Sequence, residues 1–489
     1  MYKKGDYWRI YLQGVDHIDM QDALQDLGYN LPNWKLATAA ETIVKNTDVE
    51  KLKEVTWQNW LDDYKGFIEY AVRDVEILVE IEKKVKIFDL YTSLQETAGL
   101  VNMSLVMSKS VVVDSYIKTA FSGNIVFPTR VTLPKQKYMG AIVLDPVEPG
   151  VHEDMSILDY TSLYPTTIMA FNISPETFIA SEDQCTQAGM KIDDVIESLN
   201  NENIPFIDTG HHEDLFGKRY LFYAHEYKLG LMPFLLKKWF LQRVEANKKL
   251  KLDTTPEAEK LSLNVKQKAI KLILNSAYGA MGFNYFRLYK PECADAITFF
   301  AREALKYAVV KWHTNMDHPV IYGDTDSIMI KQNGYSVDQI KTKLDDFTEM
   351  LKNDFFKQYS NTLNEEYFMM DLKFEMDLEY MYFGSAKKRY YAIERGSGKS
   401  YIKGLNIIRK DAPKFAKSVL DDLAEKAVRQ QLTLEDLTNL RQKILTVPYE
   451  QIGITKSFTK KFFMYNKNKP QHLTAAMWSN HGCRSRSHG

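Results

Sequence analysis

At 489 residues, with 45% hydrophobic and 26% charged side chains, the chain has the make-up of a soluble globular protein too long for a single core. A net charge of −1 gives no global attraction to nucleic acid, although phosphate binding needs only a local basic surface. A run of about 18 apolar residues is missing, which excludes a spanning helix, and the N-terminus MYKKGDYWRI lacks a signal peptide's apolar stretch, so a cytosolic location is expected. Cys185, Cys293 and Cys483 lie far apart without metal-ligand spacing, which fits a reducing compartment and excludes a zinc knuckle.

In chain order, residues 1 to 95 read as short apolar strands alternating with helical stretches, of which WQNWLDDYKGFIEYAVRDVEILVEIEKKVK repeats its apolar residues every three or four positions. A second region opens near YMGAIVLDPVEPGVHEDMSILDY, where Gly and Pro punctuate β-type runs and predict a sheet. From Pro233 to about Gly282 the pattern predicts two long helices joined through LDTTPEAEK, an α-helical hairpin. PVIYGDTDSIMI then returns to strand, and a mixed α/β region continues to about residue 440. Basic clusters stand at Lys237 to Lys251 and at Lys387 to Arg389; a solvated helix face would look the same.

Three segments hold residues suited to metal and phosphate chemistry. In SILDYTSLYPTTIMAFN, Asp159 ends a β-prone run, where it is either a hard-cation ligand or an ordinary turn residue. In VIYGDTDSIMI, Asp324 and Asp326 sit at a hairpin tip, expected to project into a cleft, and two like charges this close need a cation or a polar loop to offset them. In KQKAIKLILNSAYGAMG, Lys271, Asn275 and Tyr278 share one helical face. Leu272, Ser276 and Gly279 form an adjacent strip expected to let the helix approach another surface closely. The facing helix FLLKKWFLQRVEANKKLK adds Arg243, Lys248 and Lys249, and two such helices would bind a polyphosphate.

These segments resemble the motifs of family B DNA polymerases in the family's order: DYTSLYP motif A, KLILNSAYG motif B and YGDTDS motif C. YMGA is similar to the exonuclease-to-polymerase junction and KKRYY to the primer-gripping KKRY motif, while NISPET and the layout of residues 1 to 95 most resemble replicative polymerases of T-even-like phages. The resemblance implies a mixed α/β (α+β) right-hand architecture, with a palm sheet and an α-helical fingers hairpin preceded by a partial ribonuclease H-like exonuclease domain. Its divisions would be an exonuclease remnant (1–95), palm with motif A (96–232), fingers (233–285), palm with motif C and KKRY (286–440) and a truncated thumb start (441–489).

The implied function is DNA-directed DNA synthesis in phage replication. Asp159 and Asp326 would hold two Mg²⁺ ions, with Mn²⁺ able to substitute, and Asp324 would be an auxiliary acid. Ser162, Leu163 and Tyr164 would hold the dNTP triphosphate through backbone amides, and Tyr164 would exclude a 2′-hydroxyl unless it is simply a core tyrosine. Arg243 and Lys271 would contact the phosphates with support from Asn275, and Tyr278 would pack beside the nascent base pair. Lys387, Lys388, Arg389 and Tyr390, with Tyr138 and Gly140 of YMGA, would hold primer-template DNA.

The sequence also departs from the family. Asn247 stands where a lysine is usual, and Lys248 is a candidate substitute. IEYAVRDVEIL resembles the third exonuclease motif, with Tyr70 and Asp74 four apart, but the first two motifs are absent, so no proofreading is expected from this chain by itself. KKFFMYNKNKPQHLTAAMWSN resembles the start of a thumb, and HGCRSRSHG matches nothing expected. Two explanations stay open, companion chains that bear the exonuclease and the thumb or a gene broken by an intron, a frameshift or a contig end; the resemblance also implies a sliding clamp and a single-strand binding protein as further partners, and no membrane. The alternatives are an impaired or split polymerase subunit that binds DNA, and a protein-primed polymerase.

Overall fold

A computed structural model describes residues 2–4, 7–9, 15–29, 31, 34–44, 57–212, 215, 218–405 and 413–448. Residues 449–489, with Cys483 and most of the expected thumb start, lie outside these. Two compact units are present, Met1–Glu148 with Asp154–Leu378, and Pro149–Glu153 with Glu379–Gly489.

In the larger unit, β1 (Tyr2–Lys4) and β2 (Tyr7–Arg9) pair antiparallel. Between residues 15 and 120 the described chain contains helices and no strand: α1 (Met20–Asp26), α2 (Leu36–Ala39), α3 (Trp57–Asp62), α4 (Tyr64–Val85), α5 (Ile87–Ala98) and α6 (Lys109–Ala120). The alternation of strand and helix expected over residues 1 to 95 is thus corrected, because short apolar runs fit either element. In α4, the Asp63 carboxylate accepts from Gly66 N–H at 3.0 Å, and Lys86 ends the helix at a left-handed φ of 61°.

Residues 124–149 form no strand beyond one bridge, Val143 to Asp324. This extended segment is tethered by the buried Asp114, which pairs with Arg130 at 2.8 Å and Arg287 at 2.9 Å. The strand β3 (Gly150–Tyr160) is buried continuously from Met155 to Leu158, as a strand covered on both faces should be. It leads into α7 (Leu163–Ala170). A three-stranded sheet follows, β4 (Phe178–Ser181), β5 (Phe206–Asp208) and β6 (Tyr220–Tyr223), in the order β4-β6-β5. Between its strands run α8 (Glu182–Gln187) and α9 (Ile192–Asn201).

Next come α10 (Leu231–Leu250) and α11 (Glu257–Met281), joined by residues 251–256 and packed along each other. Pro256 precedes a first turn holding Glu257 and Glu259, which suit the positive end of the helix dipole. The helix α12 (Pro291–Thr314) begins with proline at its first position and is buried nearly all round, the pattern of a core helix. It packs on α7 and on the hairpin β7 (Val320–Asp324) and β8 (Ser327–Lys331). After these come α13 (Val337–Met350) and β9 (Leu372–Phe383). In this unit the strand order is β9-β3-β8-β7, and β8 runs antiparallel to both β3 and β7.

The smaller unit takes the last residues of β9, with β10 (Tyr390–Glu394) and β11 (Ser400–Lys403) in the order β9-β10-β11. Its helices are α14 (Lys414–Val428) and α15 (Leu434–Thr446), and Tyr391, Ile393 and Val428 form a small core.

Candidate active site

Two acids from distant segments meet at adjacent strand ends. The register pairs Asp159 of β3 with Ser327 of β8, directly after Asp326, and Tyr160 N–H donates to the Asp326 carbonyl at 2.8 Å. Asp324 pairs with Ser327 across the β7–β8 hairpin, leaving Thr325 and Asp326 at the turn. Thr325 adopts φ 63°, a left-handed conformation costly for a β-branched residue. Its hydroxyl donates to Asp324 Oδ1 at 3.0 Å.

Asp324 is 4% exposed and does not project into a cleft as the hairpin-tip reading expected, because the segment 142–144 covers it. Thr325 N–H donates to the Ile142 carbonyl at 3.0 Å, and Leu144 N–H to the Gly323 carbonyl at 2.9 Å. Asp159 and Asp326 keep partial access to solvent.

Burial, then the charges of Asp326 and Glu375, push the Asp159 carboxyl up to about 7, with Lys271 opposing. Such an excess of negative charge suits a hard cation, and Mg²⁺ characteristically takes one or two carboxylates with water and phosphate oxygens. Among the described residues no group of three His, Cys, Asp or Glu side chains is arranged to hold a metal ion. Two carboxylates, Asp159 and Asp326, are of the number and kind that Mg²⁺ takes from a protein.

Beyond Asp159 the chain turns sharply. Ser162 adopts φ 51° and ψ 56° at the start of α7, so the first-turn N–H groups, with Leu163 and Tyr164 among them, have no intrahelical acceptors. From α10, Arg243 Nη1 donates to Ser162 Oγ at 3.3 Å, while its buried Nε has no hydrogen-bond partner among the described residues. Burial lowers the Arg243 pKa. A half-buried guanidinium beside first-turn amides without intrahelical acceptors offers donors of the kind that suit phosphate oxygens.

Lys271 and Asn275 are exposed on α11 and line a cavity of about 430 Å³ together with Asp26, Leu27 and Tyr29. Tyr278 stacks on Tyr164 with ring centroids 4.6 Å apart and planes at 21°. The Tyr138 hydroxyl hydrogen-bonds Tyr278. A Cβ at Gly282 would fall 2.1 Å from that hydroxyl, so a larger residue there would displace the end of the Tyr138 side chain. The strip containing Gly279 does not pack closely as expected, since Gly279 is exposed and a Cβ there would meet nothing within 4 Å. Its neighbour Ser276 instead bonds back to the Leu272 carbonyl at 2.6 Å.

Three functional candidates escaped the sequence reading. Arg302 is 1% exposed, and its Nη1 donates to the carbonyls of Met139 at 3.0 Å and Gly140 at 2.9 Å. Thr298 Oγ1 donates to the same Met139 carbonyl at 2.7 Å. These two side chains hold YMGA from α12, and the single signal was a buried-type helix with an arginine in it. Glu375, on β9, sits close enough to raise the Asp159 pKa and has no motif around it.

The remaining expected site residues divide between the two units. Lys248 is exposed, five residues beyond Arg243, or roughly 140° further round the helix. Its neighbour Lys249 pairs with Glu245 at 3.0 Å. Lys387, Lys388 and Arg389 are exposed in the smaller unit, where Tyr390 opens β10. Tyr70 and Asp74 lie one turn apart on α4, both half-buried, and Asp74 Oδ1 has no hydrogen-bond partner among the described residues.

The family model described as DNA polymerase family B matches residues 101–483. A DNA polymerase of Archaeoglobus fulgidus is 30% identical over 347 residues, 70% of this chain and 38% of that protein. A DNA polymerase of Pyrococcus glycovorans is 24% identical over 493 residues, 97% of this chain and 57% of that protein. The structure of the family B DNA polymerase from Pyrobaculum calidifontis superposes with a TM-score of 0.62 at 23% identity, covering 96% of this chain and 57% of that one. The chain thus spans roughly half the length of the relatives it matches, and these relatives are archaeal.

Proposed function

The chain belongs to DNA polymerase family B, and on that premise we propose that it adds deoxynucleotides to a primer 3′ end on a DNA template. The observation that carries this reading is the meeting of Asp159 and Asp326 at adjacent strand ends, beside the turn at Ser162 and the guanidinium of Arg243.

Asp159 and Asp326 would hold two Mg²⁺ ions, which when bound supply activation of the primer hydroxyl and offset charge on the reacting phosphate, as is general for polymerases. The chain's own residues provide the positioning. First-turn amides of α7 receive the triphosphate of a dNTP, and Arg243 and Lys271 offset its charge. Asn275, one turn along α11, supports that contact. The Tyr164 ring, held flat by Tyr278, lies where the sugar stacks and leaves no room for a 2′-hydroxyl. The Met139–Gly140 backbone, fixed by Arg302, presents Tyr138 and Gly140 to primer-template DNA. Lys387, Lys388, Arg389 and Tyr390 contact the primer backbone without reading sequence.

The phage context rests on the NISPET resemblance, and the relatives named above are archaeal. No helix among the described residues is long and apolar enough to cross a membrane. Primer extension with Mg²⁺ and dNTPs tests the activity. The unsubstituted protein should extend a primer and Asp326→Asn should not, whereas equal extension by both would end this reading.

A further inference from the structure

The segment Asn172–Glu176, singled out in the sequence but without a role in the site, receives the whole N-terminal end of α10. Gly230 N–H donates to Asn172 Oδ1 at 2.9 Å, Leu231 N–H to Glu176 Oε1, and Met232 N–H to Ser174 Oγ at 3.3 Å. An ordinary N-cap satisfies one or two such groups with one side chain. Here three consecutive donors go to three side chains of one loop.

The loop is itself immobilised. Asn172 and Ser174 are fully buried. Asn172 Nδ2 donates to the carbonyls of Tyr223 at 2.8 Å and Lys228 at 2.7 Å, and Ser174 Oγ lies 2.8 Å from both Glu176 carboxylate oxygens. Gly230 seats so closely that a Cβ would lie 2.9 Å from Ser174 Cβ. On its other side the loop continues directly from α7, whose last turn is fixed where Phe171 stacks on Phe300 at 3.8 Å.

One loop therefore joins the helix that begins at the Ser162 turn to the helix that bears Arg243. Arg243 lies twelve residues beyond Leu231, a lever of about 18 Å, so a tilt of roughly 5° at the base moves its guanidinium by about 1.6 Å. A displacement of about 1 Å in a positioning group costs on the order of 100-fold in a reaction.

We propose that Glu176, with Asn172 and Ser174, is a positioning residue for the incoming nucleotide, setting through the base of α10 where Arg243 meets the triphosphate. The role rests on the polymerase reading above. In this role Glu176 acts through Leu231 N–H at the base of α10 and not on the nucleotide itself.

The test compares the unsubstituted chain, Glu176→Ala, Glu176→Gln and Asp326→Asn. Initial rates of single-nucleotide extension are measured against dNTP concentration, with primer-template affinity measured separately. Binding of dATP is also titrated on a primer ending in a 2′,3′-dideoxynucleotide, which needs no chemistry. Glu176→Ala should raise the half-saturating dNTP concentration about tenfold and weaken dATP binding equally, with primer-template affinity unchanged. Glu176→Gln, which keeps an acceptor for Leu231 N–H, should recover most of the loss. Unchanged dATP binding by Glu176→Ala overturns the proposal, as does an equal fall in dNTP affinity, DNA affinity and melting temperature without recovery by Gln. A chain that binds dATP yet extends no primer counts against the polymerase reading, while the binding titration still decides this one.

Discussion

The N–H of Tyr160 donates to the carbonyl of Asp326 at 2.8 Å, so the residue after one candidate metal ligand is hydrogen-bonded to the other. The sheet that makes this bond fixes the spacing of Asp159 and Asp326. A change that loosens β3 from β8 should therefore act on chemistry before it acts on substrate binding.

Asp159 provides a pH signature. Its folded-state carboxyl is raised from 3.8 to about 7 by burial, Asp326 and Glu375. The folded protein holds a proton there that the unfolded chain releases near pH 4, so the proton's stabilising effect is complete below about pH 4 and lost by about pH 7. In chelator, Asp159→Asn should therefore gain in melting temperature over the unsubstituted chain as pH rises through this window. A difference that stays constant with pH would contradict the raised value.

Tyr164→Ala should remove the wall beneath the sugar. The preference for deoxy- over ribonucleotides, measured as a ratio of kcat/KM values, should fall on the order of 100-fold. Tyr278→Ala should weaken the same preference to a smaller degree, because it removes the ring that stacks on Tyr164. An unaltered ratio in Tyr164→Ala would leave that residue as a core tyrosine.

Arg302→Ala should cost about 2–4 kcal/mol of folding stability, since two backbone carbonyls lose a buried charged donor. Denaturant midpoints measure this, and primer-template binding should weaken in the folded fraction. A loss below about 0.5 kcal/mol would be that of a surface residue and would contradict its placement.

Thr325→Gly should stabilise folding by about 1 kcal/mol by relieving the left-handed strain. Extension should slow all the same, because Asp324 loses its hydroxyl donor and the turn bearing Asp326 loosens. Faster extension with higher stability would show that the strain has no part in the site.

The local segments were legible because each is specified by neighbours in sequence. Asp159 at a strand end, the acids of the hairpin, and the shared face of Lys271, Asn275 and Tyr278 follow from periods of two and 3.6 residues and from turn chemistry. The helical hairpin followed from Pro233 and the break at LDTTPEAEK for the same reason, although its last four residues belong to α11. Tertiary structure decided the rest, because it depends on what a distant segment brings. Asp324 is buried because residues 142–144 cover it, and Gly279 is open because nothing among the described residues comes within 4 Å of a Cβ there. Arg302 and Glu375 matter only through contacts with YMGA and Asp159, more than 150 residues away in sequence. Periodicity tells which face a side chain takes, and only packing tells what that face meets.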